Sequence, residues 1–419
     1  MPEEQVGTRS RLEAPWDGVG RMAGLRITRV RPIRTAPERT RLVVVKVETS
    51  EPDLYGIGCA TFTQRADAVV QVVNEYLDPF LRGRNPGDIE DIWQSVHVSS
   101  YWRNGPILHN ALSGVDQALW DLKGKIAGLP VYELLGGRCR RAAPLYAHAS
   151  GRDFAEVVEN ARRYIGEGYR YVRAQVAIPN SETYGAPSSD AVWFDGPAYR
   201  RITPRLFEHL RSQLGEEVEL LHDVHERIAP PDTISLARDL EPYRLFFYED
   251  PLAPEDVGWF RLLRQQSAIP IAMGELFVNP AEYLPLVAER LIDFIRVHVS
   301  TIGGITPARK LAAAGELFGV RTAWHGPGDV SPVGHAANLH LDLSSSNFGI
   351  QEQHIFSEQA REVFPGTPEV TDGMLWPNDR PGLGVDVDEA AAARYPYPED
   401  DLHGSWTTVR RGDGGVVRP

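Results

Sequence analysis

A parallel (β/α) barrel carrying a smaller α+β capping domain is the fold class this sequence predicts, on three observations. The first is a period. Asp223 in ELLHDVH, Glu249 in LFFYED and Glu275 in IAMGE each close a short apolar run, and they stand 26 residues apart. A strand with its return helix takes roughly 25–35 residues in a parallel barrel, so consecutive strands would each bring one carboxylate to the same rim. The second is a strand–helix alternation that repeats eight times between Leu145 and Phe356, which suits a closed barrel better than a doubly wound sheet. The third is a different rhythm before it, alternating strands followed by helices.

Taken in order, residues 1–21 are polar and aperiodic and are expected to be a disordered tail. Strand-like runs follow in LRITRVRPI, RLVVVKVETS and DLYGIGCATF. From Arg65 to Leu81 the period becomes helical, with Val69, Val72, Val73, Tyr76 and Leu77 on one face. A second helix is predicted from Pro106 to Ala127, where Leu108, Leu112, Val115, Leu119 and Leu122 recur at three- and four-residue steps. These pieces make up a capping domain over residues 22–144, ending near LLGGRCRRAAP. The barrel is expected over 145–356. Its strands are PLYAHAS, YRYVRAQV, EVELLHDV, LFFYEDP, PIAMGEL, FIRVHVS, RTAWHGP and the stretch around SNFGIQE. Helical patterns such as FAEVVENARRYIGEG and AEYLPLVAERLI separate them. Residues 357–419 are loop-rich and are expected to return and pack on the capping domain.

Bulk composition narrows the function. With 44 Lys and Arg against 57 Asp and Glu the formal charge is −13, which excludes a general nucleic-acid or acidic-membrane surface. Two cysteines, Cys59 and Cys139, make no disulfide framework and fit a reducing, cytoplasmic setting. No apolar run approaches the ~18 residues of a membrane span. The glycine pairs in YGIGCA and STIGGIT do not form a G-x-G-x-x-G turn, which argues against a nucleotide-dependent oxidoreductase.

The chemistry concentrates at strand ends. Three converging buried carboxylates repel one another and need a cation, and an all-oxygen shell favours Mg²⁺ over softer metals. Strand alternation puts His225 on the same side as Asp223, making it the natural acid/base beside the metal. His222 faces the other way and reads as a core histidine. Other strand ends supply His148, Arg173, Arg296, His298, His325, Asp329 and Glu352. Together they form a polar wall suited to a polyhydroxylated acid, in which Arg296 would grip a carboxylate or pair with a metal-ligating acid.

The series HDVH, FYEDP, GEL, IRVHVSTIGG, WHGPGDVSPVG and NFGIQE resembles the enolase superfamily, and within it the mannonate dehydratase subgroup with its starvation-sensing members. The pieces YGIGCAT, ALWDLKGKIAGLPVYELLGG and YAHASG agree, so the likeness runs from about Met22 to Tyr397. It implies that Asp223, Glu249 and Glu275 ligate Mg²⁺ and that Tyr184, assisted by Arg173, removes the proton α to a sugar-acid carboxylate. His225 would protonate the departing β-hydroxyl. His148, Arg296, His325, Asp329 and Glu352 would hold the substrate, a D-mannonate- or D-gluconate-type acid, and the product would be a 2-keto-3-deoxy sugar acid. The residues alone do not single out Tyr184, which lies in the loop SETYGAP. The likeness also implies a homo-oligomer, a tetramer or octamer.

Three departures bear on specificity. Thr63 stands where the dehydratases it resembles carry a substrate-contacting asparagine. The loop from Pro179 to Tyr199 is shorter, and the C-terminal DGGVVRP lacks their tryptophan. Two alternatives follow: a catalytically weak, sugar-acid-sensing homologue, or an epimerase or racemase using the same intermediate.

Overall fold

The computed structural model describes residues 18–181, 183, 193–399 and 409–418. The three alternating runs near its start form an antiparallel sheet of β1 (Ile27–Thr35), β2 (Leu42–Thr49) and β3 (Tyr55–Cys59), in that order. Alternation along β2 sends Val43, Val45 and Val47 into a cluster with Ala111, Leu112, Val115 and Leu119, while Val44 on the other face joins the main core. The partners of the first set lie on the helix Pro106–Ala127, whose bounds match the sequence pattern.

That helix lies unusually close to β3. A Cβ at Gly56 would fall 1.9 Å from the carbonyl oxygen of Ala118, and one at Gly58 would fall 2.2 Å from that of Gly114. The approach lets helix side chains complete the free edge of β3. The Cys59 and Ile57 amides donate to Gln117 Oε1 and Asp121 Oδ2, each at 3.0 Å, and Ser113 Oγ donates to the Cys59 carbonyl at 3.0 Å. An exposed strand edge is thereby closed without a fourth strand.

The first cap helix departs from expectation at Tyr76, which is exposed rather than buried. A π-helical turn over Val73–Leu77 interrupts the α-helix there, and the wider turn leaves Val69, Val73 and Leu77 inward and carries Tyr76 out. A further helix, Ile89–Ser99, lies where no element was anticipated.

Among the described residues, eight parallel strands follow: β4 (Ala143–Gly151), β5 (Tyr171–Val176), β6 (Glu219–Asp223), β7 (Phe247–Glu249), β8 (Ile271–Met273), β9 (Phe294–Ile295), β10 (Arg321–Thr322) and β11 (Gln351–Glu352). Neighbours pair in sequence order from β4 to β10, β11 pairs with β4, and a bridge from Thr322 to Phe348 closes the ring. Inside, Tyr146, Leu221, Phe247, Ala272, Phe294, Ala323 and Ile350 make a packed plug. This plug is a floor beneath the strands' C-terminal ends, as in other filled barrels. A hairpin of β12 (Glu369–Thr371) and β13 (Met374–Trp376) pairs antiparallel with the start of β4.

Cap and barrel are joined by buried polar contacts: Trp93 Nε1 donates to the Gly303 carbonyl at 2.9 Å, and the Thr306 amide donates to Asp116 at 3.0 Å. At both ends the described residues make specific contacts. Arg21 and Met22 are already tied down, through the Ile126 carbonyl at 3.3 Å and Asn85 at 2.8 Å, within or beside the anticipated tail. The C-terminal stretch meets the cap through Glu389 on Arg31 and Lys46 and through Asp386 on Tyr55. Residues 409–418 instead lie against the barrel. Val409 and Val417 are buried in the main core, and the Phe194 amide donates to the Arg410 carbonyl at 2.7 Å. Trp193 also forms a parallel bridge with Arg410, so the segment is paired with the strand-like stretch beside the barrel. Among the described residues, no helix is long and apolar enough to cross a membrane.

Candidate functional site

The strand ends at the C-terminal rim bring ten of the anticipated side chains to one mouth. Arg173 from β5 reaches Asp223 Oδ2 at 3.0 Å and Glu249 Oε1 at 3.2 Å, and its other nitrogen lies 3.3 Å from His148 Nδ1. Arg296, just past β9, pairs with the same oxygen of Glu249 and reaches Glu352 Oε2 at 3.2 Å and Glu275 Oε2 at 3.5 Å. His148 Nε2 lies 3.1 Å from Glu352 Oε1. Asp329 sits in the loop that carries His325, with Oδ1 buried and unpartnered among the described residues.

Glu275 is held between two histidines. Its oxygens meet His225 Nε2 at 3.1 Å and His325 Nε2 at 3.2 Å. Burial would raise its pKa, but His325 and His225 hold it well below the usual carboxylate range. Burial opposes protonation of His325 in turn, yet Glu275 brings it up to about 9. His298, whose Nδ1 lies 2.9 Å from His325 Nδ1, is pushed down to about 3 by burial and by that neighbour.

Asp223, Glu249 and Asp250 each offer an oxygen within 4.8 Å of the others. Glu249 Oε2 and Asp250 Oδ2 are buried with no hydrogen-bond partner among the described residues. Burial, over the opposing charge of Arg296, pushes Glu249 up to about 7, and burial with Glu275 and Glu249 nearby raises Asp250 well above the usual range. Five carboxylates (Asp223, Glu249, Asp250, Glu275 and Glu352) thus share the mouth with two guanidiniums, those of Arg173 and Arg296. Buried like charges at this density call for a further cation. The unpartnered oxygens and the all-oxygen donor set fit a hard divalent ion.

Local folding explains the aim of these groups. The chain turns left-handed at His225 (φ 54°), Glu226 (φ 49°) and Asp250 (φ 37°). These residues leave strand geometry, so alternation no longer predicts where their side chains go. The His225 amide donates to Asp223 Oδ1 at 2.8 Å, which fixes the turn against the carboxylate. Gly274 (φ 145°) passes so close to the Arg296 backbone that a Cβ would meet it at 3.1 Å, and its amide donates to Asp250 Oδ1 at 3.3 Å.

The remaining expectations divide. Thr63 starts a short 3₁₀ turn in the cap, and its hydroxyl bonds the Arg41 carbonyl at 3.5 Å, with no contact to the barrel mouth among the described bonds. Tyr184 lies outside the described residues. His222 is a core histidine: its Nδ1 meets the Ala174 carbonyl at 3.0 Å and its Nε2 meets the Tyr199 hydroxyl at 2.6 Å. Sequence reasoning passed over Asp250, although it stands in the FYEDP motif; adjacency to Glu249 should have sent it away from the site. It also passed over Gln175, which holds the Asp223 carbonyl at 2.6 Å, and Tyr146, whose ring underlies both guanidiniums at about 6 Å.

Comparison with known proteins agrees with this architecture. Residues 156–391 match the enolase C-terminal domain-like family, and residues 23–136 match the N-terminal domain of the mandelate racemase / muconate lactonizing enzyme family. D-galactonate dehydratase family members from Musicola paradisiaca and from Pantoea ananatis, the latter called RspA, are 56% and 55% identical to this chain. Each alignment covers 95% of this chain and all of the relative. A crystal structure of an enolase from Pantoea ananatis with bound D-gluconate and Mg superposes with a TM-score of 0.90 at 56% identity, covering 94% of this chain and 100% of that one. An enolase-superfamily member from Salmonella Typhimurium gives 0.79 at 25% identity, over 89% and 98%.

Proposed function

Because the chain belongs to the enolase superfamily, within its D-galactonate dehydratase family, we propose that it is a Mg²⁺-dependent dehydratase of a sugar acid, D-gluconate or D-mannonate being the first candidates. The observation that carries the reading is the cluster of buried, partly unpartnered carboxylates at the barrel mouth. The D-gluconate and Mg bound by the Pantoea relative support the same choice of ligand.

Asp223, Glu249 and Glu275 would hold the divalent ion. When bound, the ion would supply positive charge beside the substrate carboxylate, making the neighbouring C–H more acidic. The chain's own residues would do the rest. Tyr184 would take the proton α to the carboxylate, with the guanidinium of Arg173 favouring its ionised form. His225 would give a proton to the β-hydroxyl as it leaves as water, and Glu275, 3.1 Å from its Nε2, would hold the ring in place. Loss of one water gives an enol that tautomerises to the 2-keto-3-deoxy acid. Arg296, His148, His325, Asp329 and Glu352 would bind the carboxylate and hydroxyls, with Thr63 at the cap side.

The test is turnover. Purified protein with Mg²⁺ and a panel of aldonic acids is expected to yield a 2-keto-3-deoxy product from one of them. Binding of an acid with no product from any would replace the dehydratase with the sensing reading, to which the engagement of Thr63 with Arg41 would then belong.

A further inference from the structure

We infer that Asp250 is a fourth carboxylate of the cation site, with Oδ2 held toward the ion or one of its waters. The inference rests on the reading of this mouth as a divalent-cation site and extends it to a residue outside the expected ligand set. Asp250 is 1% exposed, and its two oxygens have different fates. Oδ1 accepts from the Gly274 amide at 3.3 Å, while Oδ2 is buried with no partner among the described residues. A buried carboxylate oxygen left unpaired is costly unless something outside the protein's own hydrogen bonds meets it. The neighbouring residues say what that is, since Asp223, Glu249 and Asp250 each bring one carboxylate oxygen within 4.8 Å of the others. Glu249 Oε2 is likewise buried and unpartnered.

The backbone is arranged to hold this aim. The Asp250 amide donates to the Ala272 carbonyl at 3.0 Å, and its own carbonyl accepts from the Glu226 amide at 2.8 Å. Three successive strand ends therefore fix one residue, at φ 37°, where a non-glycine backbone is rarely found. A side chain that served only to cap Gly274 would need one oxygen and no such restraint. Hard divalent ions keep part of their water shell, so a carboxylate just beyond the ligands has a donor to accept from.

The experiment is Mn²⁺ titration of the full chain by electron paramagnetic resonance, comparing wild type with Asp250→Asn, with Glu249→Gln as control. Asp250→Asn is expected to weaken Mn²⁺ binding on the order of 10- to 100-fold, the range found when groups supporting a metal site are removed. Circular dichroism in chelator should show the variant folded. Unchanged Mn²⁺ affinity in a folded variant would overturn the inference. Should the variant not fold, a crystal structure of the wild type with Mg²⁺ decides the matter. Oδ2 on the ion or on one of its waters supports the inference, and Oδ2 on neither overturns it. A wild type that binds no Mn²⁺ sinks this inference and the proposed function together. One that binds through Asp250 yet dehydrates no sugar acid sinks only the latter.

Discussion

Two rows of buried polar side chains run through this molecule, and they differ in one respect. On the helix Pro106–Ala127, Ser113, Gln117 and Asp121 stand at i, i+4 and i+8, and their oxygens find partners in β3, in one another and in Leu383. At the barrel mouth, Glu249 and Asp250 are as deeply enclosed, but each keeps an oxygen with no protein partner among the described residues. The first row is satisfied by the protein's own groups. The second is complete only when something from outside enters it. Burial alone therefore says nothing about function; unfilled bonding capacity does.

The largest effects should come from the open row. Glu249→Gln removes a carboxylate that faces both guanidiniums, and kcat/KM on the sugar acid should fall on the order of a thousandfold or more. Its melting temperature in chelator should fall less than that of a comparable change in the closed row, since Asp223, Glu275 and Glu352 remain to pair with Arg173 and Arg296. A larger loss of stability than of activity would erase the distinction between the rows. His225→Asn should cost about a hundred- to a thousandfold in kcat/KM while leaving Mn²⁺ affinity near that of the wild type, as expected of a proton donor. A parallel loss of metal binding would make His225 part of the ion's support instead.

The closed row should behave in the opposite way. Asp121→Ala strands two buried amides, those of Ile57 and Leu383, and removes the ion pair with the Lys125 ammonium 2.7 Å away. A loss of about 2–4 kcal/mol in unfolding free energy is expected, with kcat/KM of the folded fraction unchanged. Denaturant unfolding and kinetics on one preparation check both halves.

These two rows were unequally legible. A strand–helix unit has a nearly fixed length, so the 26-residue spacing of Asp223, Glu249 and Glu275 is a geometric signal, and it carried the reading from sequence to barrel rim. Strand alternation then served only as far as the strands extend. At His225 the side chain still reaches the site, but through a left-handed turn rather than through pleating. At Asp250 the same kind of turn defeats the alternation rule, so the residue next to Glu249 joins it instead of opposing it. Tyr76 failed for an analogous reason: a helical period assumes 3.6 residues per turn, and a π-turn breaks it. The closed row was hidden because Ser113, Gln117 and Asp121 read as the polar stripe of an amphipathic helix. Only the nearness allowed by Gly56 and Gly58 makes that stripe interior.

A half-open case separates charge from packing. Glu389 opens a short helix of the C-terminal stretch and meets Arg31 in a two-pronged pair at 2.6 and 2.8 Å, with Lys46 at 2.9 Å, tying that stretch to the cap. The Arg31 bonds, against some opposing burial, bring its pKa down to about 2 from the ordinary 4.5. A carboxylate lowered on folding stabilises the folded state above its unfolded pKa, and the contribution fades as pH falls through the folded value. The pair's stabilisation is thus complete above about pH 4.5 and gone near pH 2. The side chain is 39% exposed, so solvent screening keeps the effect of Glu389→Gln to about 1 kcal/mol or less at neutral pH. The gap between wild type and variant in urea unfolding should narrow as pH is lowered from 6 toward 2 (as far as both still fold). A gap constant across that range would mean that the glutamate acts through shape, as the closed row does, and not through its charge.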